Sequence, residues 1–197
     1  YAGFDCVTLL DSTAVSVQST GSGSFAVYKK FKVQTPAGGV ANHVIKYDYD
    51  PLTAFARFKQ ATIYRAGGDV VNIDVTQACD YAAPARAIYW GARQIMLELG
   101  RLYPGDVVEY EIEKKGFTYA LLSEAPADDE SRFIPPMRGH FYDIVPFWVN
   151  EPTIRKVYQI SVPNEKEIQF QFFHGACASS MYYDEGKKVY TFAVNDA

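Results

Sequence analysis

Residues 93–113 read RQIMLELGRLYPGDVVEYEIE, and two alternating strands with a turn between them are spelled out in that stretch. Ile95, Leu97 and Leu99 alternate with Gln94, Met96 and Glu98; after the turn, Val108, Tyr110 and Ile112 alternate with Glu109, Glu111 and Glu113. Each strand therefore has one face to bury. Pro104 presets the φ of a turn's second position, and Gly105 accepts the positive φ that a type II turn requires next. The spacing predicts a β-hairpin.

Working outward, segments with strand character follow one another at short intervals, and no helical period of ten residues or more interrupts them. Residues 4–10 and 13–19 read as two short strands. Gly21, Ser22 and Gly23 turn the chain into a long strand from Phe25 to Gln34, with Phe25, Val27, Lys29, Phe31 and Val33 on one face; Pro36, Gly38 and Gly39 end it. Segments 42–49 and 53–64 follow, and the turn at Ala66–Asp69 leads into 70–75 as a second hairpin. Residues 78–91 are alanine-rich and have room for one helical turn before Pro84 or Gly91 stops it. A strand is expected at 117–122. Asp128, Asp129, Glu130, Pro135 and Pro136 mark a long loop at 123–139. Strands resume at 140–149, 153–162 and 166–174, and a final hairpin, 178–183 with 187–194, turns through Asp184, Glu185 and Gly186. About a dozen strands with antiparallel-style turns predict an all-β chain, a large antiparallel sandwich or multi-sheet domain forming one module over 1–197.

Composition narrows the function. Fifteen Tyr, thirteen Phe and two Trp suit half-buried pleated surfaces. A net charge of −4 provides no basic field for nucleic acid. No run of 18 apolar residues spans a membrane. Cys6, Cys79 and Cys177 are too few and too scattered for a disulfide framework or a Cys-rich zinc site. With Tyr1 at its start and Asn195, Asp196 and Ala197 at its close, the sequence reads as a piece of a longer polypeptide, after removal of a signal segment.

Constellations that could carry chemistry are each outweighed by a structural role. His174 and Cys177 lie close, but Gly175, Ala176 and Ala178 describe a loop without the helix N-terminus or fixed cation that activates a thiol. His43, His140 and His174 form no paired metal motif. Asp48 and Asp50 begin a calcium-loop pattern that Leu52, Thr53 and Lys59 break. Gly21, Gly23, Gly67 and Gly68 belong to turns, and Glu98, Glu109, Glu111 and Glu113 to a solvated strand face. Tyr142, Phe147, Trp148, Tyr182, Tyr183 and Trp90 could include a stacking platform for a sugar or peptide. No catalytic, cofactor-binding or metal-binding residue is assigned.

The run Tyr89, Arg93, Ile95, Leu97, Leu102, Pro104, Gly105, Asp106, Val108, Glu109 and Tyr110 resembles the centre of a bacterial domain-of-unknown-function family found N-terminal to transglutaminase-like domains. Tyr47 and Asp48 resemble its earlier strand. Phe141, Asp143, Pro152, Tyr158, Ile160 and Pro163 resemble its later ones. The resemblance implies a Bacteroidetes-type, secreted or periplasmic β module, similar in fold to the N-terminal β domain of zinc aminopeptidases. It implies a non-catalytic accessory role, packing against or positioning a downstream transglutaminase-like or peptidase-like domain of the same polypeptide. The alternative reading is an independent carbohydrate- or peptide-binding module that uses exposed aromatics. A self-sufficient hydrolase using Cys177 is the third.

Overall fold

The computed structural model describes residues 1–84, 91–117 and 139–197. The expected strand at 117–122 and loop at 123–139 lie, but for Phe117 and Gly139, outside those residues, as does Trp90. The chain is all-β. Among the described residues the eleven strands are β1 (Cys6–Val17), β2 (Gly23–Val33), β3 (Val44–Tyr49), β4 (Ala54–Tyr64), β5 (Val70–Asn72), β6 (Cys79–Ala82), β7 (Arg93–Glu98), β8 (Val107–Gly116), β9 (Arg155–Pro163), β10 (Ala178–Asp184) and β11 (Lys187–Asn195). They form an eight-stranded sheet in the order β10-β11-β9-β1-β2-β8-β4-β5 and a three-stranded sheet, β3-β7-β6. Every pairing is antiparallel except β1 with β9.

The expected hairpin at 93–113 is an arch. The turn is as predicted: the Asp106 N–H donates to the Tyr103 carbonyl at 3.0 Å, and Gly105 has φ +94°. Its flanking strands, however, join different sheets, β7 between β3 and β6, β8 between β2 and β4. Periodicity reports that each strand has a buried face, and two such strands can lie side by side or face each other. A type II turn does not match the twist of a tight hairpin, and Gly100 at φ +74° adds a second bend. The buried faces therefore meet across the sandwich, with Ile95, Leu97 and Leu99 packed in one cluster with Val108, Ile112 and Ile63.

Other differences are local. Residues 4–10 and 13–19 merge into β1, which runs in regular register through Asp11 and Ser12 and carries a bulge earlier, between Thr8 and Leu10. The glycines after β2 start a short helix, α1 (Pro36–Ala41), with Thr35 capping Gly38 and Pro36 in its first turn. Glycine is required there: a Cβ on Gly38 would lie 2.3 Å from the Asp5 carbonyl oxygen, and one on Gly39 2.5 Å from that of Leu102. Of the alanine-rich stretch, Cys79–Ala82 form β6, and residues 85–90, where the helical turn had room, lie outside the described residues. Residues 140–149 and 166–174 are not strands, although Phe141, Val145, Phe147 and Ile168 point inward as alternation requires. They cover a second cluster of Val15, Val17, Phe25, Tyr158, Ile160, Val162 and Phe192. Ring packing holds them without a ladder: Phe170 meets Phe192 edge-on at a centroid distance of 4.9 Å. The hairpins at Ala66–Asp69 and Asp184–Gly186 form as read.

Gly105→Val places a β-branched residue at φ +94° with its Cβ 2.9 Å from that of Ala66. The expected loss is roughly 1–3 kcal/mol in a thermal or urea melt. Gly67→Ala, in open space, is the control and should change stability by less than about 0.5 kcal/mol. Equal melts for the two variants would contradict the arch.

Candidate functional site

The residues singled out from sequence do not converge. Cys6 is buried, Cys177 half-buried and Cys79 exposed, all with free thiols. Burial, then Glu151 and Asp5, raises the Cys6 pKa, and burial raises that of Cys177. His174 is exposed at φ 60°, and Cys177 packs on the second cluster. The His43 ring contacts the Val40 carbonyl at 2.6 Å. Asp48 accepts from the Gln94 amide, and Asp50 from the Leu52 N–H at 2.9 Å. These are turn and strand-end roles. Among the described residues no group of His, Cys, Asp and Glu side chains is arranged to hold a metal ion.

The glutamates of β8 lie on the outer face of the large sheet. Glu109 accepts from the Tyr28 and Tyr64 hydroxyls at 2.8 and 2.7 Å and pairs with Lys30 at 3.3 Å. Partial burial disfavours its charge, but the donors outweigh this and lower its pKa. Glu113 pairs with Arg57 at 2.6 Å. Glu109 and Glu113 are fixed by these neighbours, and Glu111 and Glu113 border an open cavity of about 320 Å³ with Ser16, Lys59 and Gln159.

The inner face of the large sheet has a feature that periodicity hinted at only through Lys29. One row across four strands reads Lys156, Asp11, Lys29 and Tyr110. Lys156 Nζ lies 2.9 Å from Asp11 Oδ2, and Lys29 Nζ 3.4 Å from Glu151 Oε2. Beside this row Cys6, Asn42, Ile45, Lys46 and Tyr110 line a cavity of about 190 Å³. At the second cluster, half-buried Asp143 accepts from the Tyr158 hydroxyl at 2.7 Å. Burial, then the Asp143 charge, raises the pKa of Tyr47 to about 12 and that of Tyr158 further. Lys114 stands 4.7 Å from the centre of the Phe25 ring, its pKa lowered by desolvation, which Asp143 partly offsets. The arrangement supplies paired charges and neutral phenols, with neither an activated nucleophile nor a carboxylate pair.

The larger surface feature is apolar. Ile144 (73%), Phe173 (68%), Tyr183 (66%), Phe170 (52%) and Trp148 (51%) are solvent-exposed, with Tyr142 and Tyr182 close behind. Phe147 of the suggested platform instead packs inward, and in the final hairpin Phe192 is buried and Tyr190 half-buried. β11 lies between β9 and β10, so its inward rings are already covered.

With the fold and these surfaces defined, a family model matches residues 19–197. The chain belongs to the family described as "Domain of Unknown Function with solved-structure structure" (DUF3857). No curated protein sequence matches it. Among solved structures, this DUF3857 chain is similar to a candidate protease from Parabacteroides distasonis, with TM-score 0.74 at 13% identity, covering 98% of this chain and 36% of that one. Likeness to an M1 zinc metallopeptidase from Deinococcus radiodurans has TM-score 0.45 at 14% identity, over 96% of this chain and 39% of that one. The DUF3857 chain thus spans little more than a third of either.

Thiol reactivity in this DUF3857 domain should follow exposure, with Cys79 labelled first, Cys177 later and Cys6 last under native conditions. Labelling kinetics on single-cysteine variants check the order. Fastest labelling at Cys177, slowed by His174→Ala, would contradict it.

Proposed function

We propose that this DUF3857 module is a non-catalytic accessory domain that packs against and positions a downstream transglutaminase-like or peptidase-like domain of the same polypeptide, in an exported, cell-envelope protein. The observation that carries the reading is the likeness to the candidate protease, which takes in 98% of this chain and only 36% of the other. The exposed apolar surface supports it, because domains adjoining in one chain cover each other over roughly 600–1,500 Å². Tyr142, Ile144, Trp148 and Phe173 provide side chains suited to such a contact. No further residues are asked to perform chemistry.

Hydrogen exchange on this chain and on the longer parent protein, at matched concentration, tests the reading. Protection gained at 139–149 and 164–176 in the parent is expected. Identical exchange in both would contradict docking and favour the alternative, an independent module that binds a glycan or peptide on its exposed aromatics.

A further inference from the structure

β10 closes one end of the large sheet, and all seven of its residues are exposed. One side pairs with β11. The other has no strand partner among the described residues, which leaves the backbone donors and acceptors of that side of an exposed strand unpaired among them. The remaining edges are guarded. β5, at the far end of the same sheet, is three residues long and lies between Asp69 and Asp74. In the small sheet β3 carries Lys46 and Asp48, and β6 carries Asp80. β10 has none of these devices from Ala178 to Tyr183: no charge, no proline, and no register shift against β11.

Its side chains are also sorted by size. Ala178, Ser179 and Ser180 form a small half, Met181 the middle, and Tyr182, Tyr183 and Asp184 a large half. Antiparallel pairing of two copies about Met181 sets Ser180 opposite Tyr182, Ser179 opposite Tyr183, and Ala178 opposite Asp184. Each tyrosine ring then lies over a serine, and the lone charge faces an alanine. The two Asp184 residues end up about 20 Å apart at the strand rise of ~3.4 Å, beyond the screening length in physiological salt. Parallel in-register pairing would instead stack tyrosine on tyrosine and Asp184 beside Asp184. Ser179 pairs with Phe192, on which Phe170 and Phe172 pack at 4.9 and 6.1 Å. The second copy's ring opposite Ser179 therefore arrives on the same face, beside two phenylalanines that are 52% and 38% exposed.

We propose that β10 is a self-association edge, and that a second copy of this chain pairs with it antiparallel about Met181, joining two eight-stranded sheets into one. This goes beyond the accessory reading and does not compete with it, since Tyr142, Ile144 and Trp148 lie on a separate segment and stay free for a neighbouring domain.

The chain as given is tested by sedimentation velocity over a concentration series, followed by cross-linking. Reversible dimers that Ser180→Lys abolishes without lowering the melting temperature are expected. In a background with Cys79→Ser and Cys177→Ser, Met181→Cys should oxidise to a covalent dimer at least tenfold faster than Tyr183→Cys. Opposed Cα atoms of an antiparallel pair lie about 4.5–5.5 Å apart, within disulfide range. A monomer at every concentration, or equal cross-linking of the two variants, would overturn the proposal. Neither result touches the accessory reading, which the exchange comparison with the longer parent decides.

Discussion

The carboxylate of Asp106 holds the arch that makes two sheets into one sandwich. It is 1% exposed, and its oxygens accept from the Tyr103 N–H at 2.9 Å, the Ala66 N–H at 3.3 Å and the Arg65 guanidinium at 2.6 Å. One side chain thus ties the turn after β7 to the turn after β4. Backbone bonds complete the joint: Val33 N–H donates to the Asp106 carbonyl at 2.9 Å, and Gly105 N–H to the Val33 carbonyl at 2.8 Å. A buried carboxylate is costly unless every lone pair is occupied; here its donors come from two stretches, the arch and the turn after β4, and the backbone bonds to Val33 bring in a third. The small sheet can face the large one only if those three stretches meet.

The joint also explains why the interior is divided. Over β2, β8 and β4 the small sheet buries Ile63, Leu97, Ile112 and Val108 almost completely, each contributing about 1.5–3 kcal/mol. The small sheet does not extend over β9 and β11. There the lid is two irregular segments, which bury Phe141, Val145 and Phe147 but leave Tyr142, Ile144 and Trp148 outside. Between the halves runs the row of Lys156, Asp11 and Lys29, its charges paired in a partly dry setting. The surface suited to a partner is the outside of the irregular lid, a consequence of covering a broad sheet with a narrow one.

Much of this was legible from sequence, and the failures share one cause. Alternation placed Phe25, Phe31 and Val33 on the inner face of β2, and Pro104 and Gly105 gave the correct turn. What periodicity lacks is partner identity. It could not say that β7 and β8 face each other, nor that residues 140–149 alternate because they lie on a core rather than in a ladder. Residues 11 and 12 fell between two expected strands, yet Asp11 lies within β1 and pairs with Lys156, 145 residues away. Lys29 was the one signal of the polar row, a lysine in register with Phe25, Val27 and Phe31. The bare edge of β10 could be recognised only once the strand order was known.

The central claim is that Asp106 couples both sheets into one cooperative unit, and native-state hydrogen exchange of Asp106→Ala tests it most directly. Removing the carboxylate leaves the Tyr103 and Ala66 amides and the Arg65 guanidinium without their acceptor, at a cost on the order of 3 kcal/mol. The account predicts that amides of β7 in the small sheet and β8 in the large sheet lose protection together and by the same amount. Loss confined to residues 99–106, with both sheets as protected as before, would contradict it.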